Sequence, residues 1–158
     1  RSPPMPPDPQ SPPGTPAEPE RAAWTATPFA LPTGLLLVRG LASVVAVAAV
    51  GTVIGGLLRP GAGWSSALQG GLAAAAGIAG GILVITPWKP RPVTIWPALL
   101  LGGQGAGLVA ALLTGLLLYS SSRPGEPLIF GAVLAVGYTA GMLAMATLFG
   151  RIVANRGP

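Results

Sequence analysis

Cysteine and histidine are both absent from this sequence, and only 8% of its 158 residues are charged. Without cysteine there is no thiolate nucleophile and no disulfide. Without histidine there is no imidazole general base, and without either there is no Cys/His zinc site. Carboxylates are nearly as scarce. Asp8, Glu18 and Glu20 fall in the first twenty residues, and Glu126 stands alone in a short connector. No carboxylate pair is available for acid–base work or for holding Mg²⁺. Ser120, Ser121 and Ser122 are adjacent, but no His or Lys is placed to activate them. The expectation is a non-catalytic protein with no cofactor, no metal and no evident small-molecule substrate.

What fills the chain instead is apolar. Hydrophobic residues make up 51% and glycines number 24, and mean hydropathy is +0.65. A soluble domain carries about 25% charged residues, and glycine is commoner in membrane helices than in soluble ones. Four apolar stretches run from about 35 to 58, 64 to 86, 96 to 119 and 128 to 150; Arg39 is the one charged residue inside them. Each is about 35 Å long as helix, enough to cross a hydrocarbon core of about 30 Å. Backbone facing lipid must satisfy its own hydrogen bonds, so helices are expected, and the alternating pattern of a membrane barrel is absent. The connectors 59–63, 87–95 and 120–127 are too short to recross the membrane. The predicted fold is therefore all-α: an integral membrane four-helix bundle of two antiparallel hairpins, residues 34–151.

Flanking this unit are two polar pieces. Residues 1–33 are Pro-rich, and proline removes donors and fixes φ, so a disordered, extended tail is expected. It has no basic start followed by an apolar core, so it does not read as a signal peptide. Its Pro spacing permits PxxP docking, with a passive tail as the plainer reading. Residues 152–158 are expected to form a short C-terminal tail. Net charge is +5, but the cations are scattered rather than clustered on one face, so nucleic acid is not an expected partner. Arg21, Lys89, Arg91, Arg151 and Arg156 fall on one side of the membrane, with Arg39 near that end; Arg59 and Arg123 fall on the other. That bias puts both termini in the cytoplasm. Trp88 and Trp96 on one side, and Trp64 and Tyr119 on the other, read as interfacial belts.

Small residues recur at helical spacing: Gly51 and Gly55; Ala73, Gly77 and Gly81; Gly103, Gly107, Ala111 and Gly115; Gly137 and Gly141. Each set lines one helix face and lets backbones approach closely. Internal packing is one reading, and docking of an outside helix is the other. Gln104 is the most polar residue deep in the third span and is expected to make a structural or partner-facing hydrogen bond. The run Gly103-Gln104-Gly105-Ala106-Gly107 has no preceding strand, so a dinucleotide-binding loop is excluded. Gln69, nearer a span end, is expected to reach the interface. Arg39 lies about one turn into its span, where a long side chain can snorkel or meet a partner carboxylate or lipid phosphate.

From Gly34 onward the layout resembles ATP synthase protein I, a family of small four-helix membrane proteins associated with the bacterial F-type ATP synthase. The resemblance rests on Leu35-Leu36-Leu37-Val38-Arg39, on Trp64 to Leu72 (WSSALQGGL) and on Gly103-Gln104. Charged residues common in the family's third helix are replaced here by Gln104 and Gly107. The resemblance implies a multi-pass protein of the bacterial inner membrane that assists assembly of the rotor ring, with a proposed link to Mg²⁺ supply. Its partners would be rotor (c) subunits, themselves Gly-rich helical hairpins, held by Gly77, Gly81, Gly103 and Gly107. Two other readings stay open: a small Mg²⁺ or proton channel or transporter subunit, and a membrane anchor whose Pro-rich tail recruits a soluble partner.

Overall fold

Prolines set where the helices stop and start. The computed structural model describes residues 27–155. The expectations for residues 1–26 and 156–158 lie outside the described residues. Four helices follow one another: α1 (Thr33–Leu58), α2 (Ala62–Ile85), α3 (Trp96–Ser122) and α4 (Pro127–Ala154). Each is long and apolar enough to cross a membrane. Between α1 and α2, Pro60 lacks a donor and Gly61 sits at φ 85°, a conformation open to glycine. Pro87 and Pro124 disfavour right-handed helix at the residues before them, and Thr86 and Arg123 turn into the left-handed region, at φ 46° and 39°. Pro97 and Pro127 occupy first-turn positions of α3 and α4, where a missing N–H costs nothing.

Two boundaries differ from expectation. Ser120–Ser122 belong to α3 rather than to a connector, because the Ser120 and Ser121 hydroxyls fold back onto the Leu117 carbonyl, at 3.0 and 2.7 Å. Residues 152–154 belong to α4 rather than to a tail.

The expected tail also ends sooner than residue 33. Strand β1 (Pro28–Phe29) pairs antiparallel with β2 (Arg91–Pro92), with Phe29 opposite Arg91. The Leu31 N–H donates to the Pro87 carbonyl at 2.9 Å, and Leu31 is buried. The Phe29 ring lies 5.9 Å from that of Trp96. The physical reason is local: Phe29 and Leu31 are apolar side chains within reach of an apolar helix end, so ordering them covers surface that would otherwise meet headgroups and water. Trp96 is consequently fully buried, with its indole N–H donating to the Arg91 carbonyl at 3.2 Å. It is a core residue and not part of an interfacial belt. Trp64, Trp88 and Tyr119 remain exposed.

The helices do not divide into two equal hairpins. α2 is the central element: half of its apolar window is buried, against 11%, 22% and 28% for those of α1, α3 and α4. It packs closely against all three others, α1 also packs on α4, and α3 meets α4 at few places. The cause is side-chain size. Toward α1, Gly63 and Gly55 meet backbone to backbone, and Gly71 faces Ala48. Toward α4, Gly70 lies against the Phe130 carbonyl, and Ala74 and Ile78 against Gly137 and Gly141. Toward α3 the contacts are again glycine on glycine. In lipid, close approach of this kind supplies the dispersion energy that the hydrophobic effect does not.

At the end of the bundle far from β1 and β2, the two connectors are latched together. The buried Ser66 hydroxyl donates to the Ala62 carbonyl at 2.8 Å and accepts the Glu126 N–H at 3.0 Å. The Glu126 carboxylate accepts from Arg59 Nε at 3.3 Å, so Glu126 is not isolated as its surroundings in sequence suggested.

Candidate functional site

The four glycines singled out in the sequence converge in one seam between α2 and α3. A Cβ built on Gly77 would lie 2.7 Å from the Gly107 carbonyl oxygen and 2.6 Å from Ala111 Cβ. One on Gly81 would lie 2.7 Å from the Gly103 oxygen, and one on Gly107 only 2.6 Å from the Gly77 oxygen. One on Gly103 would overlap Ile85 Cγ2. Real Cβ atoms do not approach backbone this closely, so the seam exists only because these residues have none. All four are buried. They are occupied inside the chain, and an outside helix could reach them only by prising α2 from α3.

Gln104 borders this seam. Its backbone carbonyl accepts a 2.6 Å hydrogen bond from the Tyr138 hydroxyl on α4, and its half-buried side chain faces a cleft. The peptide group of Gln104, rather than its amide, thus joins α3 to α4. Tyr138 is the residue that sequence reasoning missed. The signal was present: a phenol hydroxyl in the middle of an apolar span has no water to bond with and must find a protein acceptor. Gln69 departs from expectation too, since its Oε1 is buried without a hydrogen-bond partner among the described residues instead of reaching an interface.

Arg39 is exposed on α1, about 9 Å along the axis from the helix start at 1.5 Å per residue. Its carbonyl accepts the Ser43 hydroxyl at 3.0 Å. From that depth a guanidinium can reach the headgroups. Lys89, Arg91 and Arg151 lie at the same end of the bundle, with Arg91 Nη2 donating to Thr86 Oγ1 at 2.9 Å. Among the described residues the one carboxylate, Glu126, is at the opposite end.

Near the basic end, α3 and α4 separate and leave a cleft of about 260 Å³. The floor is α2, from Gly77 to Ile85; the walls include Leu100, Leu101, Met145 and Phe149. The cleft stops where Tyr138 bonds to Gln104. Gln104 and Tyr138 are its only polar side chains. Nothing in this set performs acid–base or nucleophilic chemistry. What the arrangement offers is surface: a closed glycine seam, an open apolar cleft, and a cationic end of the bundle with no carboxylate among the described residues there.

No protein-family model matches the sequence, and comparison with curated proteins and with solved structures finds no match.

Proposed function

We propose that this chain is a non-catalytic accessory protein of the bacterial inner membrane, an assembly factor for the rotor ring of an F-type ATP synthase, acting by lateral contact between helices. The short motifs around Arg39, Trp64–Leu72 and Gly103-Gln104 support the family reading. The excess of cations at the β1–β2 end supports a cytoplasmic position for that end and hence for both termini.

The observation that carries helix contact as the mode of action is the outer side of α3. Gly102 and Gly105 have nothing within 4 Å of where a Cβ would stand. A glycine inside a helix costs about 1 kcal/mol relative to alanine, and no contact among the described residues uses either one. A Gly-rich rotor hairpin lying along α3 would use both. The docking face is therefore Gly102 and Gly105, with Gly103 and Gly107 turned inward to hold α3 in place.

Replacing Gly102 and Gly105 together by Leu is expected to abolish co-purification with rotor subunits while membrane insertion and the elution volume in detergent stay unchanged. Undiminished co-purification would overturn the reading. The same substitutions at Gly103 and Gly107 test nothing about docking, because they disrupt the seam first.

A further inference from the structure

We infer that residues 28–31 form a releasable strap. Docked, it fixes the α2–α3 connector and the first turns of α3. Undocked, it frees the α3 wall of the cleft to move. This goes beyond the rotor reading and does not rest on it.

The connector has little with which to order itself. Pro87, Pro90 and Pro92 have no N–H to donate. Within it the Lys89 N–H returns to the Thr86 carbonyl at 3.0 Å. The strap supplies more: the Leu31 N–H reaches the Pro87 carbonyl at 2.9 Å, and β1 pairs with Arg91 and Pro92. Arg91 is where the parts meet. Its backbone lies opposite Phe29, its guanidinium donates to Thr86 Oγ1 at 2.9 Å, and its carbonyl holds the Trp96 indole. Trp96 is the first residue of α3 and shares a core cluster with Leu31. Strap, connector and helix start are thus one chain of contacts.

The part of α3 that the strap governs is short. From Gly103 onward α3 is clamped to α2, where a Cβ on Gly81 would lie 2.7 Å from the Gly103 oxygen. Before Gly103, the side chains of Pro97, Leu100 and Leu101 line the cleft, and Gly102 has nothing within 4 Å of a Cβ. Trp96 is the anchor of this stretch. Release costs the rest of the bundle little. A two-residue strand pair is marginal by itself, so docking depends on burial of Leu31 and on the Phe29 ring against Trp96. Pro32 is extended, with φ −72° and ψ 91°, so the strap can swing away without unwinding α1. Segments held by so few contacts open well below the free energy of global unfolding.

The full chain in detergent would be followed by amide hydrogen exchange. Two variants are needed: Leu31→Ala, which weakens docking, and Pro28→Cys with Pro92→Cys, which locks it. These two positions are strand partners, with Cα atoms about 5 Å apart and so within disulfide reach, and the sequence has no other cysteine to compete. The oxidised pair should slow exchange at residues 99–102 about tenfold below wild type, and a thiol reductant should restore it. Leu31→Ala should speed exchange there about tenfold, with residues 103–111 unchanged in both variants. Equal exchange in the oxidised and reduced forms would overturn the inference, because the strap would then be a permanent part of the fold. Failure of the two cysteines to cross-link, no acceleration in Leu31→Ala, or acceleration spreading through residues 103–111 would also overturn it.

Discussion

Helix α3 has two sides that face its own chain, and they behave oppositely. Against α2, from Gly103 to Ala111, the backbones approach as closely as glycine allows. Against α4, over the stretch from Pro97 to Gln104, the helices stand apart and enclose a cleft. Hydrophobicity does not separate the two, since both are apolar. Side-chain bulk at the contact positions does. Glycine and alanine face glycine and alanine in the seam, whereas Leu100 and Leu101 look across at Met145 and Phe149 in the cleft. In a medium as apolar as the side chains themselves, no solvent pressure closes a gap, and only complementary shape brings helices together. The hydrogen bond from Tyr138 to the Gln104 carbonyl ends the cleft, and beyond it α3 and α4 meet again where Gly115 faces Leu134 and the Tyr119 and Phe130 rings lie 6.3 Å apart.

This contrast can be broken most severely at Gly107. Gly107→Ala places a methyl 2.6 Å from the Gly77 oxygen and 2.8 Å from the Tyr138 hydroxyl. A backbone oxygen cannot rotate away, so a loss of about 3 kcal/mol is expected, read as a lowered unfolding midpoint in detergent. A midpoint equal to wild type would show that the seam is not tight. Tyr138→Phe removes the tie across the cleft without changing shape. Its expected cost is about 1 kcal/mol, with faster hydrogen exchange confined to the first turns of α3; protection unaltered there would mean that the hydroxyl does not hold the two helices. Smallest of all is Gly105→Ala, two residues from Gly107 and on the open side. With nothing within 4 Å, it should be neutral or stabilise by up to about 1 kcal/mol through helix propensity. A clear loss in the isolated protein would place Gly105 inside a contact and not on a free face.

Much of the architecture was legible beforehand, and the reasons differ by feature. The four spans follow from hydropathy and length, and several of their ends from Pro60-Gly61, Pro87 and Pro127, because proline acts on the backbone whatever surrounds it; the C-terminal ends of α3 and α4 run past their expected limits. Small-residue spacing marked Gly77, Gly81, Gly103 and Gly107 as contact positions, but left open whether the contact is internal. Trp96 looked like a belt residue because tryptophan at a span end usually meets headgroups. It is buried here in a core cluster that includes Leu31, with Phe29 packed against it, both more than sixty positions earlier. Glu126 looked solitary for a similar reason: Arg59, in the preceding connector, and Ser66, in the first turns of α2, lie some 60 positions away in sequence.

The sequence by itself determined that four helices cross between short turns, since burial in lipid and the breaking power of proline are local properties of each segment. It also determined that cysteine and histidine chemistry is absent from this stretch of chain. Only the tertiary structure decided that α2 lies at the centre, that the glycines of α2 and α3 spend their closeness on one another, and that α3 and α4 part to leave a cleft beside a cationic rim. A soluble helix announces its inner face through the contrast of polar and apolar sides. These helices are apolar all round, so which face turns inward is a matter of shape between distant segments, and shape is settled only when the segments meet.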